Sequence, residues 1–127
     1  MGEEGLAASV FDASALIAIE RRDAWIRGFL RTRLGPIFVP APVLARAWRD
    51  GARQASLARF LAAKGTVVET LDELSARAIG TILGQSGTTD VVDASVVLAA
   101  RRHRALVLTG DAEDLRRIDP DLVIEEL

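Results

Sequence analysis

The sequence predicts an α/β fold, a three-layer α/β/α sandwich around a central, mainly parallel sheet. Three observations carry that prediction. Short apolar runs alternate with longer helix-like segments along the whole chain. The helix-like segments open at Asp or Pro and stop at Gly, the usual punctuation of helices. The chain has 127 residues, half of them hydrophobic, which suits one core and one domain over residues 1–127.

Residues 6–11 are an apolar run closed by Asp12, read as a buried strand with Asp12 at its carboxyl end. Residues 13–22 have helical composition, and Asp23 can cap a second helix running to about Arg33. Gly35-Pro36 breaks it ahead of a second buried strand over residues 37–39. Pro40 and Pro42 suit the first turn of the next helix. That helix is expected to reach Asp50 and stop at Gly51, with Val43, Ala47 and Asp50 on one face. A helix over residues 54–64 turns Leu57, Phe60 and Leu61 inward and ends at Gly65, before a strand over residues 66–68. Asp72 caps a helix to Leu83 that Gly84 ends, and residues 85–89 read as a polar loop. Residues 90–103 make a strongly apolar helix, 105–108 a fourth strand, 111–118 a short helix and 122–124 a last strand.

Composition excludes several chemistries. Aromatic residues are 5% of the chain, so the core must come from Ala, Val, Leu and Ile. There is no Cys, which removes disulfides, thiolate metal sites and a Cys nucleophile, and suits a reducing cytoplasm. The single His, His103, lies among Arg101, Arg102 and Arg104, so zinc is nearly excluded and any metal would be oxygen-bound Mg2+ or Mn2+. A net charge of −2 gives no global positive field. The basic residues are nearly all Arg, with Lys64 the one Lys; Arg grips phosphate well, but a GC-rich genome accounts for the bias more simply. The opening Met1 to Leu6 is acidic and no long apolar stretch follows, so no signal peptide is expected. Leu6 stands where a myristoylation pattern wants Ser or Thr, and no uncharged segment reaches transmembrane length. The expected place is the cytoplasm, away from membrane.

The acids sit where an α/β sheet binds ligands, outside the carboxyl ends of strands. Asp12 follows the first strand and Thr109-Gly110-Asp111 the fourth, while Asp90 and Asp93 open the apolar helix three residues apart on one face. Each has a structural alternative: Asp90 and Asp111 as helix caps, Asp12 as a turn residue. Asp93 is harder to explain that way, because it lies among Val91, Val92, Ala94, Val96 and Val97 and is costly to desolvate without a cation or donor. Converging carboxylates need a divalent cation, which can activate water for phosphodiester hydrolysis.

Three segments, Val10 to Leu16, Gly87 to Ala94 and Val107 to Leu115, resemble in order the acidic motifs of PIN-domain proteins, and most closely those of VapC-type toxins. The resemblance covers about residues 10–118. It implies a Mg2+- or Mn2+-dependent endoribonuclease acting on RNA, usually a homodimer, held inactive by a cognate antitoxin protein. It places Asp12, Asp93, Asp111 and Asp114 as catalytic acids, with Asp12, Asp93 and Asp111 on the metal, and Ser14, Asp90 and Thr109 in support. It also implies a Glu where this chain has Arg46, with Asp50 one turn further as the substitute acid.

Arg46, Arg49 and Arg53 would form a stripe toward RNA phosphates if their helix continued past Gly51, with Arg46 and Arg49 as the contacts. Arg101, Arg102 and Arg104 read rather as a solvated helix end favoured by the dipole. Trp25 and Trp48 read as core or dimer-interface residues. A receiver-like phosphoacceptor domain is the first rival, but it needs a late Lys and Lys64 is mid-chain. The second rival is a catalytically weakened PIN fold used for binding, which Arg46 favours.

Overall fold

Short apolar strands are stable in parallel pairing only when both faces are covered. In the computed structural model, which describes residues 6–33 and 35–127, the three central strands meet that condition. They are β1 (Ser9–Phe11), β2 (Ile37–Pro40) and β4 (Leu106–Thr109), buried almost throughout. The edge strands β3 (Thr66–Glu69) and β5 (Ile124–Glu126) are partly exposed. Residues 1–5, on which the reading of an acidic opening without a leader rests, lie outside the described residues.

All pairings are parallel and the order is β3-β2-β1-β4-β5. The helices are α1 (Ala13–Glu20), α2 (Ala24–Thr32), α3 (Ala41–Ala47), α4 (Ala55–Ala62), α5 (Glu73–Ser86), α6 (Val91–His103) and α7 (Ala112–Ile118). Helix α1 packs on α2 and α4, and α5, α6 and α7 pack on one another, so the sheet lies between two helical layers. Helix α3 touches both α1 and α6. The chain winds outward from β1 to β2 and β3, then returns to place β4 on the other side of β1. That reversal opens a crevice at the carboxyl ends of β1 and β4. None of the described helices is long and apolar enough to cross a membrane.

Several boundaries differ from the expectations, among them the ends of α1 at Glu20 and of α4 at Ala62, each two residues early. Helix α3 stops at Ala47, not Asp50, because the buried Gln54 holds the chain end: its amide donates to Ala47 O and its carbonyl accepts from the Arg49 and Asp50 N–H groups. Helix α5 runs through Gly84 to Ser86 and ends at Gly87, whose φ of 73° makes a left-handed cap bonded to Leu83 O. Strand β1 begins at Ser9, and the Arg33 guanidinium bonds the Leu6 and Ala8 carbonyls and the Ser9 hydroxyl at its start. Strand β5 lies two residues later than read. Gly35 is required where it stands: φ is 97°, and a Cβ there would lie 1.8 Å from Ala7 O.

Candidate active site

Asp12 ends β1, caps α1 and is 5% exposed at the mouth of the crevice. Its Oδ1 accepts from the Ser14 hydroxyl and the Ala15 N–H, and its Oδ2 accepts from the Thr109 hydroxyl. Each hydroxyl is itself oriented by a backbone donor: Gly110 N–H to Ser14 Oγ at 2.8 Å, and Asp111 N–H to Thr109 Oγ1 at 2.8 Å. Two relays therefore tie the loop after β4 to the carboxylate after β1. Burial pushes the Asp12 carboxyl above the ordinary range, against these three hydrogen bonds, and the charge of Asp111 adds to the rise.

Asp90 caps α6, accepting the Asp93 N–H at 3.0 Å, so the capping role weighed for it is real. Asp111 precedes α7 without a side-chain cap bond, which leaves its exposed carboxylate uncommitted to capping. Asp93 is half-buried in the first turn of α6 and its carboxylate accepts no hydrogen bond among the described residues. It is pushed up to about 6, first by desolvation and then by Asp90, with Asp114 and Asp12 adding to the rise and Arg46 opposing it. Asp114 is exposed in the first turn of α7, 3.4 Å from Arg117.

The acids are electrostatically coupled along the crevice rather than gathered at one point. Asp12 senses Asp111, while Asp93 senses Asp90, Asp114 and Asp12. Among the described residues no three acidic or His side chains are arranged to hold one ion. The donor type nonetheless fits a hard cation: the acids supply oxygen only, and Asp93 stands without a donor among like charges.

The basic residues fall differently from the expected stripe. Arg46, in the last turn of α3, reaches Asp90 at 3.5 Å. With α3 ended at Ala47, Arg49 turns back and bonds the Ala45 and Trp48 carbonyls, and Arg53 pairs with Asp50 at 3.8 Å. Asp50 also accepts the Ala52 N–H, so its carboxylate serves its own turn. Arg101 pairs with Asp119, and His103 with Glu69 while stacking on Phe38, away from the acids. Trp48 packs partly buried against the core, and Trp25 is exposed and stacked on Phe29. Arg117, which no sequence motif marks, lies 3.4 Å from both Glu113 and Asp114. Its spacing from Asp114 on a short helix was the available signal.

No protein-family model matches the sequence and no curated protein is similar to it. Several solved structures are similar in fold. A chain of a toxin–antitoxin complex from Klebsiella pneumoniae superposes with a TM-score of 0.70 at 13% identity, over 92% of this chain and 95% of that one. VapBC2 from Rickettsia felis, bound to a promoter DNA fragment, gives 0.67 at 17% identity over 94% and 98%. The Mycobacterium tuberculosis toxin VapC20, which cleaves the sarcin–ricin loop, gives 0.63 at 14% identity over 84% and 93%. At such identities the likeness is one of fold, over 84% to 94% of this chain.

Proposed function

We propose that this chain is a metal-dependent endoribonuclease of the PIN-domain type, the VapC-like toxin of a toxin–antitoxin pair. Mg2+ or Mn2+ would be held by Asp93 together with Asp12 and Asp111 or Asp114, which would have to close on it from the separate positions they occupy along the crevice. The observation that carries the reading is Asp93. Folding leaves it half-buried, without a hydrogen-bond donor and beside other acids, so that its carboxyl rises to about 6. Such a placement lowers the stability of the empty fold, and a divalent cation relieves it.

Such a cation would supply Lewis acidity to a water and to the charge at the scissile phosphate. Ser14 and Thr109 hold Asp12 in one rotamer, and Asp90 sets the first turn of α6 and with it Asp93. Arg46 stands beside the acids where it can reach a substrate phosphate; Arg49, bonded to carbonyls, is the weaker RNA contact. RNA as substrate is supported by the cleavage of the sarcin–ricin loop by the mycobacterial neighbour, and an antitoxin partner by the complexes from Klebsiella and Rickettsia. A second copy of the chain is the expected partner near Trp25, which is 43% exposed.

One contact favours a second reading, a weakened PIN-fold binding module: Arg46 pairs with Asp90 where the resemblance implies a Glu. Calorimetric titration of manganese, with cleavage of single-stranded RNA, separates the two. The nuclease reading expects manganese binding and metal-dependent cleavage, both lost in Asp93→Asn. Manganese binding without cleavage favours the module, and neither binding nor cleavage removes the metal site.

A further inference from the structure

We infer that the cleft between residues 87–90 and α7 is a nucleotide subsite in which Arg117 binds an RNA phosphate. This rests on the ribonuclease reading above. The cleft has a volume of about 350 Å3 and is lined by Thr88, Thr89 and Ile118, by the acids Asp90, Asp93 and Asp114, and by Arg117. Arg117 also lines a second cleft, on the other side of Asp114, together with Gly110 and Asp111. One guanidinium thus reaches both approaches to the acids.

Its present partners hold it loosely. Arg117 lies 3.4 Å from Asp114 and 3.4 Å from Glu113, with 66% of its side chain exposed. Surface pairs of this kind contribute little, and the planar guanidinium gains more from two charge-assisted bonds to a phosphate. In the metal-free crevice Arg117 is a counter-ion to Asp114. With a cation on the acids that role would be filled and the guanidinium repelled, which would leave the substrate phosphodiester as the anion for Arg117 to pair with. The rest of the cleft suits a nucleotide. The exposed Thr89 presents a hydroxyl to a sugar 2′-OH or a base edge, the Thr88 hydroxyl is shared with Ser86, and Ile118 supplies an apolar contact. Thr88, Thr89, Arg117 and Ile118 do not hydrogen-bond Asp12, whereas Asp93 and Asp114 are shared between the cleft and the acidic centre.

The test is fluorescence anisotropy of a labelled single-stranded RNA hexamer, with calcium as the divalent ion, over a range of salt. Arg117→Ala should weaken binding by about tenfold or more. The slope of log K against log salt should become shallower by about 0.7, the signature of one lost phosphate contact on a single strand. Arg117→Lys should restore the slope but only part of the affinity, because it lacks the bidentate fork. Calcium binding, read by thermal shift without RNA, should be at least as tight in Arg117→Ala as in wild type, because the variant removes a positive charge beside Asp114. If Arg117→Ala destabilises the fold, Arg117→Gln gives the same reading. Wild-type affinity and slope in these variants would overturn the subsite and leave the ribonuclease reading standing. A wild-type protein with no affinity for RNA would bring down both.

Discussion

Replacing Asp93 by Asn should stabilise the metal-free protein at neutral pH and do nothing at acid pH. The folded carboxyl titrates at about 6 against 3.8 in the unfolded chain. At 1.36 kcal/mol per pH unit the difference is worth about 3 kcal/mol, which solvent screening of a half-buried group reduces to roughly 1–2 kcal/mol. The folded state holds this proton more tightly, so stability falls as pH rises from 3.8 through 6, and the whole penalty is present above about 6. Asn cannot ionise and escapes it. In chelator at pH 7.5 the variant should therefore melt about 4–8 °C higher than wild type, by the usual conversion for a domain of this size. At pH 4 the two should melt together. Manganese at a hundred times its Kd adds about 2.7 kcal/mol to wild type alone and reverses the order. A variant that melts lower in chelator at pH 7.5, or higher by the same margin at both pH values, would refute the argument. Asp93 would then be a satisfied structural residue and no metal ligand.

Three further outcomes follow from single contacts. Thr109→Val takes a donor from the buried Asp12 and an acceptor from the Asp111 N–H, and should lower stability by about 2–3 kcal/mol in urea unfolding; Thr109→Ser should restore most of it, and an unmoved midpoint would show the relay to be unimportant. Arg46→Glu exchanges a counter-ion of Asp90 for a repelling acid, so metal-free stability at pH 7.5 should fall by about 1 kcal/mol while calorimetric manganese affinity rises about tenfold; unchanged affinity would make Arg46 a surface residue. Gly35→Ala drives a Cβ into Ala7 O and should cost at least about 2 kcal/mol in thermal unfolding, and a wild-type melting point would contradict the positive φ assigned there.

Much of the element order was legible because its signals are local. Asp23, Asp72 and Asp90 each cap the helix they precede by bonding an N–H two or three residues on, and short apolar runs mark the buried strands. What misled was a stop signal that tertiary contacts overrule. Gly84 reads as a terminator, yet α5 passes through it, with Ile79 and Ile82 buried in the core and Ser86 bonded to Ile82 O. The end of α3 depends on Gln54, seven residues beyond Ala47 and outside the helix, where no propensity scale looks.

The sequence by itself determined that acids follow the first and fourth strands and open an apolar helix, since strand ends and helix starts are properties of neighbouring residues. Only the tertiary structure decided which of them meet. The Thr109 hydroxyl reaches Asp12 across 97 residues, and Gly110 reaches Ser14 across 96, because the sheet order sets β4 beside β1. It also turned Arg49 onto backbone carbonyls, brought Arg46 to Asp90 and set Arg117 against Asp114. The reason is physical. A carboxylate's protonation depends on burial and on charges within a few ångströms, and those distances are fixed by strand order and helix ends rather than by spacing along the chain.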